Sequence, residues 1–315
     1  MRWDDFRRSD NVEDRRDGGH EGGGGFRMPM GGGGLGIGTI VVLGLIGWAL
    51  GIDPRLLIGG AEILTGGRGG GYEQPYAPEP RSQPQQRTGK AGAPSDQVGQ
   101  FVAAVLGETE DRWREIFQQA GQRYREPRLV LFAGATRTDA CGVAQSAMGP
   151  FYCPGENRIY LDTTFFRDIE RRFRGCDVGS KACQFAQAYV ISHEVGHHVQ
   201  NQLGILGKVQ QAQRGLSRTE ANRLQVKVEL QADCFAGVWA NRSEQKWKFI
   251  EPGDIEAAMR TAAAIGDDRL QKQSQGYVIP DSFTHGSSEQ RQRWFTIGLK
   301  NGSVQSCNTF NAAQL

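Results

Sequence analysis

Beyond residue 95, apolar residues recur mostly at helical intervals, and at strand intervals in only a few short places. Ser95-Asp96 opens a stripe of Val98, Phe101, Val102 and Val105, which Trp113, Ile116 and Phe117 continue toward Tyr124; this predicts a long capped helix. "RLVLFAGAT" and "NRIYLD" predict short strands, with "CGVAQSAMGPFYCPG" as strand or loop between them. Thr163 to Phe173 predicts a short helix and Cys176 to Cys183 an irregular turn. Further helices are predicted over Phe185 to Leu203, Thr219 to Asn241, Pro252 to Ile265 and Ser287 to Leu299. Ser287 and Gln290 fit a reciprocal S-x-x-Q cap for the last of them. The expected fold class is α+β, mainly helical with a small β-sheet.

Before residue 95 the pattern changes. Residues 1–34 mix Arg with Asp and Glu and pass into "GGHEGGGGFRMPMGGGG", with too few apolar side chains to bury against one another. This predicts a disordered arm. Residues 35–52, "LGIGTIVVLGLIGWALGI", carry no charge, and at ~1.5 Å per residue just span a hydrocarbon core of ~30 Å. A single transmembrane anchor is expected there. A secretory signal peptide is the rival, disfavoured by the long preceding arm and the lack of a clear A-x-A site. Residues 53–94, rich in Gly, Pro and Gln, predict a linker, leaving 95–315 as the folded domain.

The formal net charge of +2 provides no strong field, so a nucleic-acid partner is not expected. All six cysteines follow residue 140, an even number suited to disulfides in an oxidising space, with free buried thiols as the alternative. Arg15, Arg16 and Arg27 before the apolar stretch, against Arg55 and Arg68 after it, bias the N-terminus modestly toward the cytoplasm. The expected location is therefore the inner membrane, single-pass, with the N-terminus cytoplasmic and the domain periplasmic or extracellular.

Within "AYVISHEVGHHVQNQLG", residues 193 to 197 fit H-E-x-x-H. Four residues apart on a helix, His193 and His197 share a face and can reach one zinc ion, while Glu194 points to the open side and can accept a proton from the water that the metal activates. Val190, Val195 and Val199 imply a buried helix, where these polar groups would be costly without partners. His198 is turned away and reads as a structural or supporting group. A third ligand is needed. The pattern H-E-x-x-H-x-x-G-x-x-H fails, because Gln200 and Leu203 stand where Gly and His are required. "VKVELQADCFAGVW" instead offers Glu229 as ligand, with Asp233 one turn later to accept the free N–H of a ligating histidine. His285, in "DSFTHGSSEQRQRWF", is either an oxyanion donor or a surface loop residue by spacing alone. Arg291 is either a binder of a substrate carboxylate or the partner of a surface acid.

"AYVISHEVGHHVQ", "VELQADCFAGVWA", "IGDDRLQKQSQG" and "PDSFTHGSSEQRQRWF", in that order, resemble the bacterial putative neutral zinc metallopeptidase family, over nearly the whole chain. The resemblance implies a zincin-like domain with a gluzincin-like site: His193, His197 and Glu229 on Zn2+, and Glu194 as general base. The T-H-G-S-S-x-Q-R block also resembles the S/T-H-P block of integral-membrane gluzincins, which favours His285 as oxyanion donor, although Gly286 replaces the proline. Asp267-Asp268 matches a family block but gains no chemical role from spacing; an N-cap accounts for Asp267. The expected disulfides are Cys141 with Cys153, Cys234 with Cys307 and Cys176 with Cys183.

These expectations describe a membrane-anchored zinc endopeptidase acting on peptide or protein substrates, with an extended peptide pairing along an edge strand, Arg158 to Leu161. Alternatives are a zinc amidase acting on cell-wall peptides and a catalytically silent, metal-stabilised membrane scaffold.

Overall fold

Leu129, Val130, Leu131 and Phe132 are consecutive apolar residues buried on both faces of their strand, as suits a strand inside a sheet with parallel neighbours. In the computed structural model, which describes residues 1–16, 90–92, 94–146 and 149–315, this strand is the centre of the sheet. Five strands are ordered β2-β1-β3-β7-β6: β1 is Val12–Asp14, β2 Lys90–Ala91, β3 Arg128–Phe132, β6 Phe151–Cys153 and β7 Arg158–Asp162. β1, β3 and β7 are parallel; β2 and β6 flank them antiparallel. A separate hairpin joins β4 (Ala135–Arg137) to β5 (Val143–Gln145).

Arg158 to Leu161 is therefore not an edge. The chain turns through Asn157, in the left-handed region, and β7 lies between β3 and β6. Its backbone groups are occupied on both sides, so no substrate strand pairs there.

The helices follow as α1 (Gln97–Gln119), α2 (Thr164–Arg171), α3 (Ala182–Gln202), α4 (Ile205–Gln213), α5 (Arg218–Trp247), α6 (Asp254–Ala264), α7 (Asp267–Gln275) and α8 (Ser288–Asn301). Reciprocal capping boxes start α5 at Ser217/Glu220 and α8 at Ser287/Gln290. The α+β class, mainly helical, agrees with the sequence expectation; α4 and α7 add helices that it missed. Close crossings set the helix positions. A side chain on Gly196 of α3 would lie 3.0 Å from the Ala232 carbonyl oxygen of α5, and one on Gly298 of α8 would lie 1.9 Å from the Cys234 carbonyl oxygen. Cys141–Cys153, Cys176–Cys183 and Cys234–Cys307 are disulfide-bonded, as expected.

Two expectations about the N-terminal third need correction. Residues 1–16 are not a disordered arm. Met1, Phe6 and Val12 are buried, and the Phe6 ring lies 5.3 Å from that of Phe249. Glu110, buried in α1, accepts hydrogen bonds from Ser9 Oγ at 2.6 Å, Asn11 Nδ2 at 2.8 Å and Arg7 Nη2 at 2.6 Å. The polar composition that suggested disorder is thus consumed in pairing.

The transmembrane helix is the second correction. Among the described residues no helix is long and apolar enough to cross a membrane, and residues 35–52 lie outside them. A single crossing, with the N-terminus cytoplasmic and the domain exported, also conflicts with the sheet. Glu13 pairs with Val130 on one side and Ala91 on the other, so residues 1–16 and 90–315 form one hydrogen-bonded body on one side of any membrane.

Candidate active site

Close approach at Gly196 brings the H-E-x-x-H face of α3 against Glu229 of α5. Glu229 Oε2 lies 3.2 Å from His193 Nε2 and 3.4 Å from His197 Nε2, and the three ligand atoms are within 4.8 Å of one another. In a tetrahedral zinc centre with bonds of ~2.0–2.2 Å, neighbouring ligand atoms stand ~3.3–3.6 Å apart. The spacing fits such an ion.

The surrounding hydrogen bonds support the same reading. His193 Nδ1 lies 2.8 Å from Asp233 Oδ1. His197 Nδ1 lies 2.9 Å from Gln200 Oε1, and that amide is oriented because its nitrogen donates to Val228 O at 2.8 Å and Gln231 Oε1 at 3.0 Å. Both Nδ1 atoms therefore face acceptors and carry protons, which assigns the lone pair of each neutral ring to Nε2. Two lone pairs then converge on a carboxylate oxygen. Only added positive charge makes that arrangement favourable: protons on the rings or a cation among the three atoms. Glu229 Oε1 is held separately by Gln225 Nε2 at 2.9 Å.

Electrostatics follow the geometry. Burial pulls the His197 pKa down, but Glu229 outweighs it and the pKa rises to about 9. His193 is raised likewise, with burial opposed by Asp233 and Glu229. Burial opposes ionisation of Glu229 too, yet the two imidazoles hold it well below the usual carboxylate range. The site thus favours positive charge at its centre.

Glu194 is buried at 7% exposure, and its carboxylate has no hydrogen-bond partner among the described residues. Its pKa is raised by burial, partly countered by His197 and His193. A carboxylate so placed is a competent proton acceptor that no structural bond restrains.

Asp233 is fully buried under His193. Oδ1 accepts from Tyr189 Oη at 2.6 Å and Arg291 Nη2 at 2.9 Å, and Oδ2 from Arg291 Nε at 2.9 Å. Burial would raise its pKa, but Arg291 and His193 hold it down to about 2. Arg291 therefore binds neither a substrate carboxylate nor a surface acid; at 3% exposure it is the counter-charge of Asp233. His198 faces away, its Nδ1 3.0 Å from Tyr152 Oη and its Nε2 2.6 Å from Arg125 O, a structural role.

His285 stands on the loop before α8, its side chain 53% exposed. Partial desolvation of the ring lowers its pKa, but Asp267 and Glu229 raise it on balance. Asp267 does not cap α7, where Gly266 is the N-cap residue. Its Oδ2 accepts from the backbone N–H of Thr284 at 2.7 Å, His285 at 2.6 Å and Gly286 at 3.1 Å, and Oδ1 lies 3.3 Å from His285 Nδ1. Asp268 Oδ1 accepts from Ser288 N at 2.7 Å. The acidic pair thus pins the loop that carries the histidine. Gly286 has φ +90°, which proline, fixed near −65°, cannot adopt, so this loop differs in conformation from an S/T-H-P turn.

Sequence reasoning missed Gln200, Tyr189 and the function of Asp267. Gln200 and Tyr189 were within reach: they lie three residues after His197 and four before His193 on the same helix, where side chains meet. Asp267 offered no such local signal.

Comparison with known proteins shows the family. Residues 1–310 match the family described as "Putative neutral zinc metallopeptidase". "Uncharacterized protein YpfJ" of Escherichia coli (strain K12) is 46% identical over 313 residues, covering 98% of this chain and 99% of that one. "Uncharacterized protein Rv2575" of Mycobacterium tuberculosis (strain H37Rv) is 40% identical over 236 residues, covering 72% and 75% respectively. No solved structure matches the chain. The chain belongs to the neutral zinc metallopeptidase family that this description names.

Proposed function

We propose that this protein is a zinc-dependent endopeptidase, with His193, His197 and Glu229 holding the ion. The observation that carries the reading is the convergence of three ligand atoms within 4.8 Å, beside an unrestrained buried carboxylate on the next residue. When bound, zinc polarises a carbonyl oxygen and makes water acidic enough to lose a proton near neutral pH. Glu194 accepts that proton and delivers it to the leaving amine. His285 has its pKa raised beside Asp267; as an imidazolium it keeps its Nδ1–H on Asp267 and offers an Nε2–H to the oxygen on which negative charge develops. Asp233, Tyr189 and Arg291 keep the His193 ring in one tautomer and orientation.

Three disulfides support a location in an oxidising compartment outside the cytoplasm, with residues 1–16 on the same side as the rest of the folded body. The test is elemental analysis of the purified full chain with a peptide-library digest, with and without chelator. We expect about one zinc per chain and cleavage that chelation abolishes and zinc restores. A metal-free preparation with full native stability, or cleavage indifferent to chelation, overturns the reading.

A further inference from the structure

A cavity of ≈ 650 Å³ lies between the segment that ends α2 and the outer side of α7. Arg171, Arg172, Arg174, Arg269 and Lys272 line it, over Phe173 and Ala264 and beside the Gln273 amide. None of the proposed catalytic or metal-holding residues takes part. We propose that this cavity is a binding site for a multiply charged, phosphate-type anion.

The first ground is unspent charge. Some arginines elsewhere in the protein, Arg7, Arg16, Arg112, Arg114 and Arg291, each meet a carboxylate within 3 Å, while others stand singly on the surface. None of the five cations in this cavity has a carboxylate partner or a side-chain hydrogen bond among the described residues. The chain's formal charge is only +2, so five unneutralised cations around one hollow do not follow from general basicity. Their mutual repulsion is relieved when an anion enters.

The second ground is rigidity. Arg174 has φ +52°, a conformation that residues other than glycine seldom adopt, held in the turn that ends α2, where Phe173 N–H donates to Asp168 O and Gly175 N–H to Ile169 O, each at 2.8 Å. Next to it, Gly175 presses on α6 so closely that a Cβ there would lie 2.3 Å from Thr261 Oγ1, and the Cys176–Cys183 disulfide follows. On the opposite wall, α7 uses Asp267, Asp268 and Gln271 to grip the 279–288 loop. Helical spacing then turns Arg269, Lys272 and Gln273 toward the cavity. Four guanidinium groups on fixed backbone favour a tetrahedral oxyanion, whose paired oxygens match their forked donors, over scattered carboxylates. A soluble phosphate ester and an anionic lipid headgroup share this chemistry.

Titration calorimetry of inorganic phosphate into the full zinc-loaded chain at constant ionic strength tests the site. We expect saturable binding to one site, weakened at least tenfold in Arg269→Glu/Lys272→Glu, with zinc content and Tm unchanged. Arg174→Gly relieves the left-handed backbone, so Tm should hold or rise while phosphate binding weakens. Vesicles of phosphatidylglycerol against phosphatidylcholine separate the sources. Anionic vesicles that bind the parent, lose the double variant and are displaced by phosphate mark a headgroup; phosphate binding without vesicle binding marks a soluble anion. Phosphate binding that is absent, or equal in parent and both variants, overturns the proposal, as does tighter binding of a tetraglutamate peptide at the same ionic strength.

Discussion

Asp233 Oδ1 lies 2.8 Å from Nδ1 of His193 while Oδ2 lies 2.9 Å from Nε of Arg291, so one buried carboxylate restrains an imidazole and neutralises a guanidinium. Asp233→Asn keeps the shape but leaves Arg291 buried without its counter-charge, a change that costs about 3–5 kcal/mol. Zinc affinity should fall ~10–100-fold as the ring loses its orientation. Because the folded pKa of Asp233 is depressed to about 2, its contribution is complete above the unfolded value of about 3.9 and disappears as pH falls between them. Urea melts and zinc competition on parent and variant measure both effects; a variant within 1 kcal/mol of the parent on urea melting, the ~1 kcal/mol scale of an ordinary hydrogen bond, contradicts the assigned pairing.

Gly196 lies between Glu194 and His197, and its bare backbone permits the contact with Ala232 that delivers Glu229 to the site. In Gly196→Ala the new methyl must displace α5 backbone, at a cost of roughly 1–3 kcal/mol. The expected signature is a loss of zinc affinity larger than the loss of stability explains. Retained affinity in this variant shows that the crossing does not control the ligand spacing.

Asp267 acts through His285 in this account, as a positioning residue. Asp267→Asn retains one acceptor for the loop N–H groups but loses the charge facing the imidazole. It should lower kcat more than it raises KM, and should add little to His285→Ala, because the two changes remove one function. Independent, additive losses in the double variant indicate a structural role for Asp267 instead.

The pairing of β1 with β3 predicts that reporters fused before residue 1 and after residue 315 report the same compartment. Reporter activity in two different compartments contradicts the sheet. Thiol trapping of protein from intact cells should also find all six cysteines protected.

Much of the site was legible because its signals are local: His193, Glu194 and His197 share one helical turn, and Glu229 and Asp233 share another. Their meeting depends on Gly196 and Ala232, whose approach no spacing reveals. Residues 1–16 look disordered in sequence for a related reason. Their Arg, Ser and Asn side chains look solvent-seeking until Glu110, about a hundred residues away, is seen to accept three of them. Composition reports what a segment can bury alone, and this segment is ordered only by partners elsewhere. From sequence Arg291 reads as a surface or substrate-facing group, because its counter-charge lies on another helix.

Glu194→Gln isolates the proton-accepting role of Glu194, since the amide preserves size while removing the acceptor. Zinc content, Tm and peptide turnover are to be measured on the variant beside the parent. With Glu194 as the proton acceptor, the variant should hold about one zinc per chain and keep its Tm, with turnover reduced by at least ~10²-fold. Turnover equal to the parent's, with zinc still bound, rules out Glu194 as the general base and with it the zinc-peptidase mechanism.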